Sequence, residues 1–307
     1  MFDDLFCDPS GMISEKPKTY GQGLTDNPIF YTAQFFLLHH ELGNVEYIKS
    51  KIIDIELQLH ERMVTTGLYR RHPRWLQEQY NIPYNQISRD ETFGLMIFDF
   101  IIKRYGSTFN GSVGAEVTQR MIDNNWMYDD LNPNGNFFKA FKMRPIETIR
   151  KFIAYQKRKK INAHDTNTVD AQTEADIVAL NFLRLPNDRL MHKVCCGIKP
   201  TIFEQVFYFV AQLYTTRNEI DYRKAGGLNF ATVRMKLLKH YRLPASVKFA
   251  HYLFDRICKR KFGVNYDTKF MKRYFHMVGE YPFAKHPHYQ MAAQLEHDKR
   301  IARIYGN

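Results

Sequence analysis

Val45, Ile48, Ile52, Ile55, Leu59 and Met63 follow one another in steps of three or four residues. At 3.6 residues per turn that spacing puts all six on one face of a single long helix. Just upstream, residues 28 to 42 carry Ile29, Ala33, Phe36 and Leu37 at the same spacing, and only Gly43-Asn44 separates the two segments. Two helices joined by so short a link predict an antiparallel hairpin.

The spacing recurs along the chain. Phe93, Ile97, Phe100 and Ile101 predict a helix over 89 to 105, and Val113 to Asn124 another. Pro145, suited to a first helical position, opens a segment to about 159. Further stripes are Ala175, Val178, Ala179 and Phe182; Ile202, Val206, Phe209, Val210 and Leu213; Phe230, Val233 and Leu237; Val247, Ala250, Phe254 and Ile257; and Phe270 with Tyr274. A polar last helix over 289 to 305 has only Ala292, Leu295 and Ile301 as its stripe. With about ten helical stripes and no convincing alternating strand run, the predicted class is all-α: antiparallel helical hairpins around one core, with an (α/α) toroid-like array left open. The expected layout is an irregular N-terminal arm over 1 to 27 and a single helical domain over 28 to 307. KINAHDTNTVD (160 to 170) is the best sub-boundary, and 289 to 305 a peripheral helix.

Composition narrows the class. Aromatic residues make up 15% of the chain, which favours a thick packed interior over disorder. Acidic residues near the N-terminus argue against a secretory signal, and the lack of an 18-residue uncharged apolar run argues against a transmembrane helix. Cys7, Cys195, Cys196 and Cys258 form no CxxC pair and read as reduced thiols. There is no GxxxxGK[ST], HExxH or GxSxG, so nucleotide, zincin and hydrolase-elbow chemistry has no support. No cofactor and no metal is expected: His286-Pro287-His288 lacks a nearby third ligand, and His39, His40 and His60 read as interfacial helix residues.

The net charge of +12 is uneven, since residues 154 to 307 hold 27 Lys and Arg against 13 Asp and Glu. Its clusters are Lys157, Arg158, Lys159 and Lys160; Arg256, Lys259, Arg260 and Lys261; and Lys272 with Arg273. Such a surplus suits an acidic protein neighbour or nucleic acid, or simply the solvated faces of amphipathic helices.

The connection GLYRRHPRWLQEQYNIPYNQISRDETFGL (67 to 95) concentrates the candidate binding residues. Ser88 and Glu91 fit a capping box, in which the hydroxyl accepts an N–H from the third helical residue and the carboxylate reaches back to the cap. Arg71, His72, Trp75 and Arg89 are not required by backbone geometry and could bind a ligand. Equally, Arg71 and Arg89 could pair with Asp90 and Glu91 to lock the loop in place. Trp126 with Asp129 and Asp130 offers an aromatic platform beside carboxylates; with Asp26, Asp90 or Glu91 as second acid, that is what glycoside cleavage needs. As turn formers, the same Asp residues need no function.

The runs GLTDNPIFYTAQFFLL, GLYRRHP, ISRDETFGL and YPFAKHPHY resemble motifs of uncharacterised all-helical proteins encoded by tailed bacteriophages. The hairpin arrangement also resembles the helical toroids of glycan-processing enzymes, whose rim loops form an aromatic and acidic cleft. The phage resemblance implies a virion protein assembled in the host bacterial cytoplasm, present in several copies and docked on other particle proteins or acidic surfaces. On that reading the arm runs away from the body and orders on assembly. The alternatives are a glycan enzyme using paired carboxylates and a nucleic-acid binder using the basic half; the balance is against an enzyme. No membrane partner is expected.

Overall fold

The computed structural model describes residues 7–13, 27–41, 43–82, 85–106, 112–124, 126, 187–221 and 233–262. The expectations for 145–182, 263–307, Asp26, Asp129, Asp130, Lys157 to Lys160, Lys272 and Arg273 lie outside the described residues.

The class is all-α. Helix α1 (Pro28–Glu41) turns at Gly43 into α2 (Val45–Arg62). A two-stranded antiparallel hairpin follows, β1 (Met63–Thr65) with β2 (Leu68–Tyr69), then the short α3 (Arg74–Tyr80). Next come α4 (Arg89–Tyr105) and α5 (Val113–Asp123). After them lie α6 (187–195), α7 (Ile202–Asp221), α8 (233–238) and α9 (Ala245–Phe262).

Periodicity placed the described long helices correctly but missed the small hairpin, α3 and α6, the last lying between the expected stripes that end at Phe182 and begin at Ile202. Strands of three and two residues are too short to show alternation. Gly67 makes the hairpin possible: its φ is +73°, and a Cβ there would lie 2.6 Å from the Glu116 carbonyl oxygen of α5.

α1 begins at Pro28, whose missing N–H costs nothing at a first helical position. It buries every residue from Pro28 to His39 rather than one stripe, as expected of a helix apolar on all sides. Its contacts with α4 climb both helices together: Phe30 meets Phe93, Phe36 meets Phe98, and His40 meets Phe100 and Tyr105. α1 and α4 therefore run in the same direction. They come closest at Gly94, where an added Cβ would lie 2.8 Å from the Phe30 Cα.

Each of these helices is the first of an antiparallel hairpin. In α1–α2, His39 stacks on Tyr47 at 4.3 Å. In α4–α5, buried Asp99 accepts from the Gly114 N–H at 2.8 Å and the Ser112 hydroxyl at 3.0 Å, fixing the start of α5. In the second half, α7 and α9 also run in the same direction, for Gln205 meets Ser246 and Phe209 stacks on Phe249. The buried apolar residues form one main cluster from Met12 to Ala250.

The N-terminal arm departs from expectation. Met12 and Ile13 are fully buried in that cluster, Cys7 bridges Ile13, and the Ile13 N–H donates to Thr32 of α1 at 2.9 Å. The described part of the arm is packed into the body and does not run away from it. Two apolar residues flanked by a tight turn suffice to plug a gap between helices, a motif too short to register as an element.

Candidate functional site beneath the Arg-His-Pro loop

Three of the sequence runs singled out above meet at the end of the molecule where α1 and α4 begin. Ser88, the N-cap of α4, accepts from the Glu91 N–H at 3.4 Å and donates to the Asn27 side chain at 2.9 Å, joining the two helix starts. The loop is pinned by Asn85, whose side chain accepts from the His72 N–H at 2.7 Å and donates to the His72 carbonyl at 2.9 Å. The Asn85 carbonyl also accepts from the Arg71 N–H. Asn81, at φ +47°, ends α3, and Leu76 with Ile82 forms a small satellite core beneath it.

Under this loop lies a buried ionic cluster. Asp8 Oδ1 accepts from the Ser10 N–H at 2.9 Å, the Ser10 hydroxyl at 2.5 Å and the Met12 N–H at 3.1 Å, closing the arm's turn. Its Oδ2 lies 3.6 Å from His72 Nδ1, an ion-pair separation, with both side chains fully buried. Arg62, the last residue of α2, reaches across the cluster. It donates to Ser10 Oγ at 2.6 Å, the Arg71 carbonyl at 3.1 Å, and Gln58 at 2.9 Å (carbonyl) and 2.6 Å (side chain). Burial by itself would raise the Asp8 carboxyl, but His72, the Arg62 charge and Ser10 outweigh it and hold the carboxyl below its ordinary value.

Glu91 is the other acid of the cluster. The hydroxyl half of the predicted capping box is made; the carboxylate half is not, because Glu91 turns inward, is fully buried, and faces the Phe30 backbone N–H of α1 instead of reaching back to its own cap. Burial pushes its carboxyl up to about 8, against the pull of the Arg71 and Arg62 charges toward the ionised form. The box is complete elsewhere. At the start of α7, Thr201 Oγ1 accepts from the Glu204 N–H at 3.2 Å, and Glu204 Oε2 accepts from the Thr201 N–H at 2.8 Å.

A carboxyl poised near neutral pH can give or take a proton, a trait of general acids and bases. Here it faces Arg62, itself fully buried, so the arrangement as built fastens the arm's turn, the end of α2, the loop and the start of α4 to one another. Asp8, Arg62 and Ser10 had no distinguishing signal in the sequence. Asp8-Pro9-Ser10-Gly11 could have been read as a turn, but only the tertiary fold sets Arg62 against it.

The other candidates are placed as follows. Trp75 is 43% exposed and its indole N–H donates to Glu61 at 3.4 Å. Asp90 is half-buried in the first turn of α4, next to the inward-turned Glu91. The Arg89, Lys259 and Lys261 side chains lie outside the described residues, whereas Arg256 and Arg260 are exposed on α9. Trp126, at φ +66°, is half-buried beyond the end of α5. Because α5 runs against α4, Trp126 also lies at the end where α4 begins. Its ring is met by Arg189 at 5.1 Å and Lys193 at 5.8 Å, so it already serves as a cation platform within the fold.

Cys195 and Cys196 are not poised for chemistry: burial pushes both thiols up, and Cys196 donates to Thr118 Oγ1 at 3.2 Å. Among the described residues no helix is long and apolar enough to cross a membrane. Comparison with protein-family models, with curated proteins and with solved structures finds no match to this chain.

Proposed function

We propose that this protein is a structural subunit of a tailed-phage particle that docks on a neighbouring particle protein through one face of α7 and α9. The particle setting comes from the resemblance of the GLTDNP, RRHP and ISRDE runs. The docking role is carried by one observation: α7 and α9 present an exposed apolar face. Ile202 is 80% exposed, and Phe203, Val206, Phe249 and Tyr252 are each more than half exposed. On α7 the exposed residues Ile202, Phe203, Val206, Val210 and Leu213 fall within one stripe about 100° wide. Phe249 adjoins them by stacking on Phe209 at 5.7 Å.

Scattered surface apolar residues need no explanation, but a contiguous group of this size marks an interaction site. Its rim is basic, with Lys199, Lys248, Arg256 and Arg260 all exposed, so the matching surface is apolar at its centre and acidic at its edge. The other two readings have less behind them. Of the candidate catalytic carboxylates only Asp90 and Glu91 are described, and Glu91 is enclosed; the exposed Arg256 is turned to the Tyr252 hydroxyl, to which it donates at 3.2 Å.

The test is to express wild type and Phe203→Glu in infected host cells, purify particles by density, and count copies by quantitative mass spectrometry. Loss of a central apolar anchor lowers the incorporated copies roughly tenfold or more, with an unchanged melting temperature. Wild type missing from particles, or Phe203→Glu incorporated normally, would overturn the proposal. So would a large fall in the melting temperature of Phe203→Glu, which would place the face inside the folded chain.

A further inference from the structure

We infer that the C-terminal end of α1 and the turn after α8 form a binding site for one divalent transition-metal ion of the zinc class, with His40, Glu41 and His240 as its three protein ligands. The ligand atoms of these residues all lie within 4.8 Å of one another, and Glu41 Oε1 is 3.0 Å from His240 Nε2. Zinc binds nitrogen and carboxylate oxygen at about 2.0–2.1 Å, so tetrahedral ligand atoms sit about 3.3 Å apart. One edge of the triangle is already near that length. The widest needs to close by at most about 1.5 Å, a shift shared between the ligands, with His240 on the turn after α8 sliding along the Phe100 ring.

Two imidazoles and one carboxylate, with a fourth position toward solvent, are a donor set that zinc takes. The surroundings supply what such ligands need from their second shell. His40 Nδ1 is engaged by the Tyr105 hydroxyl, which orients the ring and leaves Nε2 for a metal. Glu41 Oε2 is held by the Lys236 ammonium, which leaves Oε1. Phe100 stacks on His240 at 4.6 Å and meets His40 edge-on at 5.0 Å, setting both ring planes.

The backbone adds to this. His40 and Glu41 close α1, and His240 lies in the turn two residues beyond the end of α8. Two helix C-termini, each the negative end of a helix dipole, therefore converge on the point where the cation would sit. Lys236 and Arg104 oppose a second positive charge there, and they limit the site to an ion whose ligand bonds outweigh that repulsion. Magnesium and calcium, which want six or more oxygens, are excluded by the same donor set.

The site is tested on the full chain, stripped with chelator and titrated with Zn²⁺ by calorimetry and with Co²⁺ by visible absorption. Wild type should take up one ion that His240→Ala and His40→Ala lose, and bound Co²⁺ should show the intense visible bands of a four-coordinate ion. Tyr105→Phe should bind more weakly by about tenfold, the lower end of what loss of such a partner costs. Should His40→Ala fail to fold, the His240→Ala result decides, since that residue is on the surface. Absence of saturable binding by wild type, or equal binding by His240→Ala, overturns the site.

Discussion

Glu91→Gln should change how the stability of this protein depends on pH. In the folded chain the Glu91 carboxyl is fully enclosed and pushed up to about 8, against an ordinary 4.5. Between those two values the folded state holds a proton that the unfolded state has lost. The stability contributed by this group is therefore fully present below 4.5 and is lost as pH rises through 8. Each unit of pH in that interval costs about 1.4 kcal/mol while the folded group stays protonated.

From pH 6.5 to 8, allowing for the folded carboxyl's own ionisation, the loss is roughly 1.5 kcal/mol. Three histidines pull the other way. His40, His192 and His251 are held at about 4, chiefly by burial, so they add stability as pH rises toward 6.5 and slightly beyond. The mutant comparison removes them, because they are common to both chains. Gln has the shape of the protonated acid and cannot ionise, so the difference in unfolding free energy between wild type and Glu91→Gln isolates the one group. Denaturant unfolding at pH 6.5, 7.25 and 8.0 should show that difference moving against wild type by roughly 1.5 kcal/mol. Parallel profiles would refute the reasoning, for they would mean that Glu91 is already ionised, or open to water, in the folded chain.

Arg62→Met should destabilise the protein by about 3–5 kcal/mol in the same denaturant assay, because it leaves Asp8 buried without its cation and removes the bonds to Ser10, Arg71 and Gln58; a loss under about 1 kcal/mol would show the cluster to be solvated. Gly94→Ala should cost about 1–3 kcal/mol, since its Cβ would meet the Phe30 Cα at 2.8 Å and the Phe30 nitrogen at 2.9 Å, forcing α1 and α4 apart; a neutral melting temperature would mean that the two helices are not in close contact there. Phe203→Glu and His240→Ala, described above, probe the apolar face and the metal site.

The long helices could be read from the chain because each buries one side of a regular coil, and burial writes itself as a three-four spacing. α2, α4 and α5 are of this kind, and α4 even shows its own start through Ser88. α1 was found by the same signal although its surroundings are apolar on every side. The spacing said that it was a helix, not that it lies at the centre of the first half.

What could not be read were short pieces whose conformation comes from elsewhere. The hairpin at Met63 to Tyr69 depends on Gly67 fitting against α5, and the arm's turn depends on Arg62 and Thr32. The candidate site divides the same way. Arg71, His72 and Glu91 were visible as an unusual concentration of charge, but their roles were not. The equivalent Thr-x-x-Glu run completes a capping box at Thr201 and Glu204, where Lys193, 2.8 Å away, holds the carboxylate beside the cap. At Ser88 and Glu91 the same pattern is broken because the helix face bearing Glu91 is the one that packs inward toward Arg62 and Arg71. His40, Glu41 and His240 are further apart still: 199 residues separate the last two.

By itself, the order of residues determined that this chain coils and which side of most coils avoids water, since both follow from interactions between neighbours a few positions apart. Only packing decided which charges would be shut in together, which apolar faces would stay outside, and which distant histidines would meet. Those outcomes depend on how rigid helices stack, and a local pattern carries no information about its eventual neighbour.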